Sequence, residues 1–467
     1  MSRQQPQRDT PSRHVDREEV SAIARLGVPL AGVALADNGM ALTDMAIVGR
    51  LGALELAVVG LSAGLAFETL YILLGLLTVV SVLIAEAVGA DDRPRIIAII
   101  GEGIRITVLL SIPMVALCLA LPWLLTLTPQ DPGVALMSRE YLHALVWTFP
   151  LAMVFGVQAD AASALDRARS VFAVSFGAVI LNVPLSWVLV FGFEDGGGIG
   201  IAGAGYATSL VHLGMVLAMT VMLVRDKTLA GGFTIKGFVQ GDRPVRRDIM
   251  RLGLPVSGLS LVESGLFSVL AVLVGGFGAA VLAAHKIVFG FVEFAGSFGF
   301  AIGDAATIRV ARAIGAEEIW RARRVGQLSY LIGGGLHLLF AVWLVIDPDT
   351  IAWVFLGNLD DSNAEAYRWT SLLAGIGAAY LFINGLQIIG EHSLRGVKDT
   401  LVPMWLGAAG LWGVGLLGGL ILAYGLDLDA YGFWYGLTVG SAMTAALYGL
   451  RFMRLTRNPG VSPLDRR

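Results

Sequence analysis

The sequence almost lacks cysteine: of 467 residues, only Cys118 is one. A lone thiol inside an apolar run excludes an intrachain disulfide framework. Charge is scarce too, at 15% Asp, Glu, Lys and Arg against roughly 25% in an ordinary soluble domain. Histidine occurs six times, and no Cys or His pair has the spacing of metal ligands. The formal net charge of −3 is too small to point to an acidic or nucleic-acid partner, so the information lies in where the charges fall. The first twenty residues, MSRQQPQRDTPSRHVDREEV, lack the apolar core of a signal peptide and read as a short disordered tail that stays in place.

What fills the chain is hydrophobicity: 56% of residues are apolar and mean hydropathy is +0.74. A helix crosses a ~30 Å hydrocarbon layer with about 20 apolar residues, whereas a membrane barrel would show short alternating segments, which are missing. The expectation is an all-α polytopic membrane protein. Charged and Pro/Gly-rich breaks divide it into twelve spans near 26–49, 54–88, 96–121, 138–163, 171–193, 200–224, 251–275, 280–314, 325–346, 366–392, 401–425 and 431–453. Lys and Arg concentrate in the even-to-odd connections (Arg93 and Arg95; Arg167 and Arg169; Arg225 to Arg251; Arg309 to Arg324; Arg395 and Lys398) and in both tails. The odd-to-even connections hold only Arg50, Arg139 and Arg368, beside acidic stretches such as GFEDGGG and DPDT. Because basic residues are retained in the cytoplasm, both termini are expected there, in a multi-pass cell (inner) membrane protein.

Shifting the chain by 226 residues lays RLGVPLAGVALADNG (25–39) on RLGLPVSGLSLVESG (251–265), then VGRLGALELA (48–57) on VGGFGAAVLA (274–283) and AEAVGADD (85–92) on ARAIGAEE (311–318). With small further shifts, FGVQADAASALDRARS (155–170) resembles FINGLQIIGEHSLRGVKD (382–399). A six-helix unit has been duplicated, and since six is even both copies share one orientation, forming a parallel repeat about an axis along the membrane normal. The division expected is a tail at 1–20, an N-lobe at 21–224, a linker at 225–250, a C-lobe at 251–455 and a tail at 456–467. Transporters use such halves to enclose a midplane cavity.

Acids inside apolar spans cost at least ~2.5 to 3.5 kcal/mol on insertion scales, so they face a protein interior or a water cavity and mark transport pathways. Asp37 and Asp44, about two turns apart, share a face of helix 1. Asp37 falls on Glu263 in the repeat register and is a second acid expected to take part with Asp44 in ion coupling. Asp44 lies nearer the outer end, where pairing with Arg50 is the structural alternative. Lys286 and Glu293 share a face of helix 8 and suit either a buried pair or a contact with Glu263. Glu68 and Asp160 are further candidates. Asp304 lies near Arg309, where a structural pairing is expected, and Glu391 and His392 sit beside Arg395. Two motif matches carry no chemistry: GIGIAG (198–203) follows no βαβ pattern, and GLSAG (60–64) lies inside a membrane helix without triad partners.

Taken together, GMALTDMAIVGRLGALELA, LNVPLSW (181–187), GAGYATS (203–209), VESGLFSVLAVL, AAHKI (283–287), ATIRVARAIGA (306–316), SLRGVKD (393–399) and GFWYG (432–436) resemble, in order and spacing, the multidrug and toxin extrusion (MATE) family, in particular its NorM-like bacterial branch. The resemblance covers nearly all of residues 20 to 455. It implies two six-helix lobes forming a V, and export of organic, mostly cationic drugs in exchange for protons or sodium ions, without a cofactor, by a protein that works as a monomer in the lipid bilayer and engages no nucleic acid. It further implies that Asp44 is the coupling acid, with Asn182 and Thr208 as partners and as the place of any sodium ion, and that Glu263 is the helix 7 acid. Glu263, Lys286, Glu293, Asn384 and Glu68 are the expected cavity residues. The sequence departs from the family at Ser186 and Asn384, where some members carry acids, at Lys286 in place of a glutamine, and at Asp37 in place of a neutral amide. The rival readings are a flippase of lipid-linked intermediates from the same superfamily and a membrane-embedded enzyme; no credible nucleophile–base pair supports the latter.

Overall fold

The computed structural model describes residues 13–128, 132–193, 196–226, 229 and 241–457. Twelve long helices follow one another: α1 (Arg13–Val48), α2 (Ala53–Gly89), α3 (Arg93–Thr126), α4 (Pro132–Leu145 and Thr148–Ala164), α5 (Ala168–Phe191), α6 (Ile201–Arg225), α7 (Arg243–Gly275), α8 (Ala279–Gly315), α9 (Ile319–Ile346), α10 (Ala364–Gly396), α11 (Leu401–Gly425) and α12 (Asp429–Leu455). Ten are long and apolar enough to cross a membrane, and α4, bent by 43° between its two segments, makes an eleventh. α12 is helical over 27 residues but does not meet that measure of length and apolarity. A two-residue antiparallel pair, Gly192–Phe193 with Gly196–Gly197, closes the turn between α5 and α6.

Helix starts follow local chemistry. Asp92 accepts from the Arg95 amide at 3.1 Å and Asp242 from the Val245 amide at 3.0 Å, each satisfying an orphan donor, with a proline in the first turn where no amide is needed. Pro29 and its repeat mate Pro255 lie inside α1 and α7. The expected spans agree with these helices to within a few residues at most ends, with two differences. α1 begins at Arg13, inside the expected tail, because Asp16 and Glu19 pair with arginines of the C-lobe and hold that polar turn against protein. Residues 243–250, expected as linker, form the first turns of α7. A short helix, Pro348–Leu356, capped by Asp347, was not foreseen. Most of the remaining linker, 227–228 and 230–240, and the far ends of both tails lie outside the described residues.

Two lobes result, α1–α6 and α7–α12, arranged as a V. They meet where α1 and α2 pack on α7 and α8. The contacts repeat in register: a Cβ on Gly27 would lie against Ala301 and Ile302, and one on Gly253, its repeat mate, would land on the Leu76 carbonyl. Nearby, Ser257 donates to the Ile72 carbonyl at 2.6 Å. One continuous apolar core joins the N-lobe to the half of the C-lobe beside the Arg/Lys-rich connections, including Ile302, Ala305, Ile308, Ile389, Leu394 and Phe452. The other half of the C-lobe, Leu266 to Val274 with Val281 to Ala295, has a separate core. The lobes are thus fused on the basic face and parted on the opposite one.

Candidate functional site

Between the lobes lies a cavity of about 630 Å³, lined mostly by N-lobe helices. The 3.6-residue period builds it. α1 turns Leu30, Val33, Asp37, Met40 and Asp44 toward it, and α6 contributes Thr208, His212 and Met215. α8 closes the far side with Ser297, Phe300, Ala301 and Asp304. Phe67, Tyr71, Tyr141, Phe155 and Met45 supply broad apolar and polarisable surface. The charged side chains of the lining are Asp37, Asp44, Glu68, Asp160 and Asp304, and no lysine or arginine of the described residues joins them.

Asp44 is the most elaborately held of these acids and is 8% exposed. Ser186 on α5 donates to one carboxylate oxygen at 3.1 Å, and the Thr208 hydroxyl lies 2.7 Å from the other. The same hydroxyl lies 3.0 Å from the Ala204 carbonyl. It has a single proton, so it donates to the carboxylate or to the carbonyl, but not strongly to both. The Thr208 carbonyl in turn lies 2.8 Å from Nδ1 of His212. Asn182 is fully buried, with its side-chain amide beside the Asp44 carboxylate. The oxygens of Asp44, Ser186, Thr208 and Asn182 form a set of hard donors suited to a small monovalent cation, and the carboxylate alone suits a proton.

Three of the four residues expected for ion coupling, Asp44, Asn182 and Thr208, come together. The fourth, Asp37, lines the same cavity one stretch further along α1. Ser186, read in the sequence only as a missing acid, is a direct partner of Asp44; its place one turn after Asn182 puts both on one face of α5, a signal present in the spacing. Arg50 does not pair with Asp44 but sits 5.2 Å above the ring of Trp187.

Among the expected cavity residues, Glu68 lines the cavity and accepts from Ser264 of the other lobe at 2.9 Å. Glu263, Lys286, Glu293 and Asn384 do not line it. Glu263 points into the C-lobe, where Gln387 donates to it at 3.3 Å. Lys286 and Glu293 are both exposed on α8, near enough to act on each other electrostatically but with no ion pair between them among the described residues, which corrects the buried-pair alternative. Asp304 faces His392, with its oxygen 3.3 Å from Nε2, rather than Arg309, which is taken by Glu19. Glu391 pairs with Arg395, one turn on along α10.

The family model described as MatE matches residues 29–188 and 255–421, one stretch in each lobe. A probable multidrug resistance protein NorM of Bradyrhizobium diazoefficiens is 32% identical over 97% of each chain, and the multidrug resistance protein NorM of Burkholderia vietnamiensis is 34% identical over 92% of each. Among solved structures, an outward-facing multidrug resistance MATE family transporter superposes with a TM-score of 0.86 at 18% identity, covering 97% of this chain and 99% of that one. A eukaryotic MATE transporter gives 0.84 at 19%, over 95% and 99%. With the family model spanning both lobes and relatives matched nearly end to end, the chain belongs to the MatE family.

Proposed function

We propose that this protein is a secondary active exporter of organic cations, exchanging them for a proton or a sodium ion taken at Asp44. The observation that carries the reading is the cavity itself: aromatic and methionine walls with acids as its only charged side chains among the described residues. Such a lining attracts a hydrophobic cation and adapts to many shapes, in keeping with relatives named for multidrug resistance. It offers no cation to an anionic lipid-linked substrate, which speaks against the flippase alternative.

The basic face is the cytoplasmic one in this reading, as retention of Lys and Arg requires, so the cavity faces outward across a bacterial inner membrane. In this state the carboxylate of Asp44 accepts from Ser186 and Thr208. A coupling ion neutralises it. If the ion is a proton, Asp44 becomes a donor, and the Thr208 hydroxyl turns its own proton to the Ala204 carbonyl and accepts instead. If it is sodium, the buried Asn182 oxygen joins the surrounding hydroxyls as a ligand. Either event removes a negative charge from the cavity and weakens its hold on the organic cation, which leaves outward. Return to the inward-open state releases the ion to the cytoplasm and readmits substrate, each ligand shifting the equilibrium by its differential affinity for the two states.

Efflux of a fluorescent organic cation from vesicles, driven by an imposed pH gradient or an imposed sodium gradient separately, tests the reading. Asp44→Asn is expected to abolish gradient-driven efflux. Full gradient dependence in that variant would overturn the assignment of the coupling site.

A further inference from the structure

Alternating access requires the lobes to part on the cytoplasmic face, and there the structure repeats its backbone while inverting its charges. Under the shift of 226, Gly89 falls on Gly315 and Glu86 on Arg312. The ends of α2 and α8 cross at these glycines: a Cβ on Gly89 would land on the Arg312 carbonyl oxygen, and one on Gly315 on the Glu86 carbonyl oxygen. The turns that follow match as well. Asp91 and Glu317 have φ of 55° and 62°, and the amides of Asp92 and Glu318 reach back to Ala87 and Ala313 at 2.9 and 2.8 Å.

A second matched pair of turns follows α4 and α10. Asp166 and Lys398 have φ of 62° and 61°, and the next amides, Arg167 and Asp399, donate to Ala162 and Leu394 at 2.7 and 3.0 Å. Across the seam, Asp166 of the N-lobe pairs with Arg312 at 2.6 Å, and Lys398 of the C-lobe pairs with Glu86. The adjacent residues tie each turn to its own lobe, again with signs exchanged: Arg167 to Asp226, and Asp399 to Arg451. The remaining pairs across this face follow the same polarity, Asp16 with Arg324, Glu19 with Arg309 and Arg321, and Glu102 with Arg246. The N-lobe gives the acid and the C-lobe the base; among the described residues the exception is Arg95 with Asp248, at 3.7 Å.

We propose that the Gly89/Gly315 crossing, flanked by Glu86–Lys398 and Asp166–Arg312, is the cytoplasmic gate of this transporter, and that its lobe-to-lobe charge polarity holds the seam shut while the cavity faces outward. A single exposed ion pair contributes little. Here the pairs must break together when the lobes part, so their effects add along one coordinate. The glycines bring two backbones into contact that no side chain would allow, and close packing makes that contact intolerant of added atoms. The gate rests on the exporter reading above, but its test needs neither substrate nor ion gradient.

Spin labels at Arg93→Cys and Trp320→Cys, exposed positions on opposite lobes of this face, report lobe separation in a Cys118→Ala background. The unmodified seam is expected to give a single short-distance population. Asp166→Lys and Arg312→Glu alone should each raise the long-distance population several-fold, and the two together, which copy the Lys398/Glu86 polarity onto the other side, should restore it. Gly89→Val should open the seam as well. Raising salt from 0.1 M to 1 M, which shortens the screening length from about 10 to about 3 Å, should lengthen distances in the same direction. Single charge reversals that leave the distribution unchanged, or a double variant as open as the singles, would overturn the proposal even if drug transport is intact.

Discussion

Asp44 could be proposed as the coupling acid from the sequence because the residues around it resemble those of a known family, whereas the hydrogen bonds that hold it were not legible. A helical stripe in the sequence says which residues share a face, not what that face meets. Thus Asn182 and Ser186 could be placed together on α5, but only the packing of α5 against α1 brings Ser186 within 3.1 Å of the carboxylate. The same ambiguity left Lys286 and Glu293 open between a buried pair and a contact with Glu263, whereas their common face is exposed. Thr208→Val removes a hydrogen bond to a charged group, a contribution of about 1.5 to 3 kcal/mol; if the coupling ion is sodium its apparent affinity should fall roughly ten- to a hundred-fold in titrations of gradient-driven efflux, whereas if it is a proton the less stabilised carboxylate should bind it more tightly by a similar factor. Thr208→Ser keeps the hydroxyl and should leave the affinity near its original value. Asp37→Asn is expected to weaken binding of a cationic dye while leaving the ion dependence of efflux in place; unchanged dye affinity would make Asp37 structural.

Helices were the most legible level of this chain, since twenty apolar residues between charged breaks have few other solutions in a membrane. Their ends were less so, because a polar turn continues a helix when another element neutralises it. The start of α1 is such a case. Glu19 has no exposed side-chain surface and is clamped by Arg309 and Arg321 from two helices of the other lobe. Removing one partner of a buried pair typically costs 3 to 5 kcal/mol. Glu19→Gln, which leaves two guanidinium groups facing a neutral amide, should therefore lower the midpoint of thermal unfolding of the purified protein by several degrees. Glu18→Gln, one residue away but exposed, is the control and should not.

The duplication fixed the plan of the whole molecule in advance: two lobes of one orientation, with helices 1 and 2 of each positioned to meet the other lobe. Which face would be closed was not readable, because the same residues serve both states and only their separation differs. In this arrangement a Cβ on Gly27 would lie 3.8 Å from the Ile302 Cα. Gly27→Cys with Ile302→Cys, after replacement of the single native and buried Cys118, should cross-link under mild oxidation, arrest efflux, and recover on reduction. Activity that persists in the cross-linked protein would show that this contact never opens. The sign convention across the seam also bears on assembly. If the chain were cut between residues 226 and 241 and the halves produced separately, two N-halves would bring acid to acid and two C-halves base to base. Only the mixed pair is complementary, so the duplicated halves, though built on one backbone plan, have become non-interchangeable partners that recognise each other by charge.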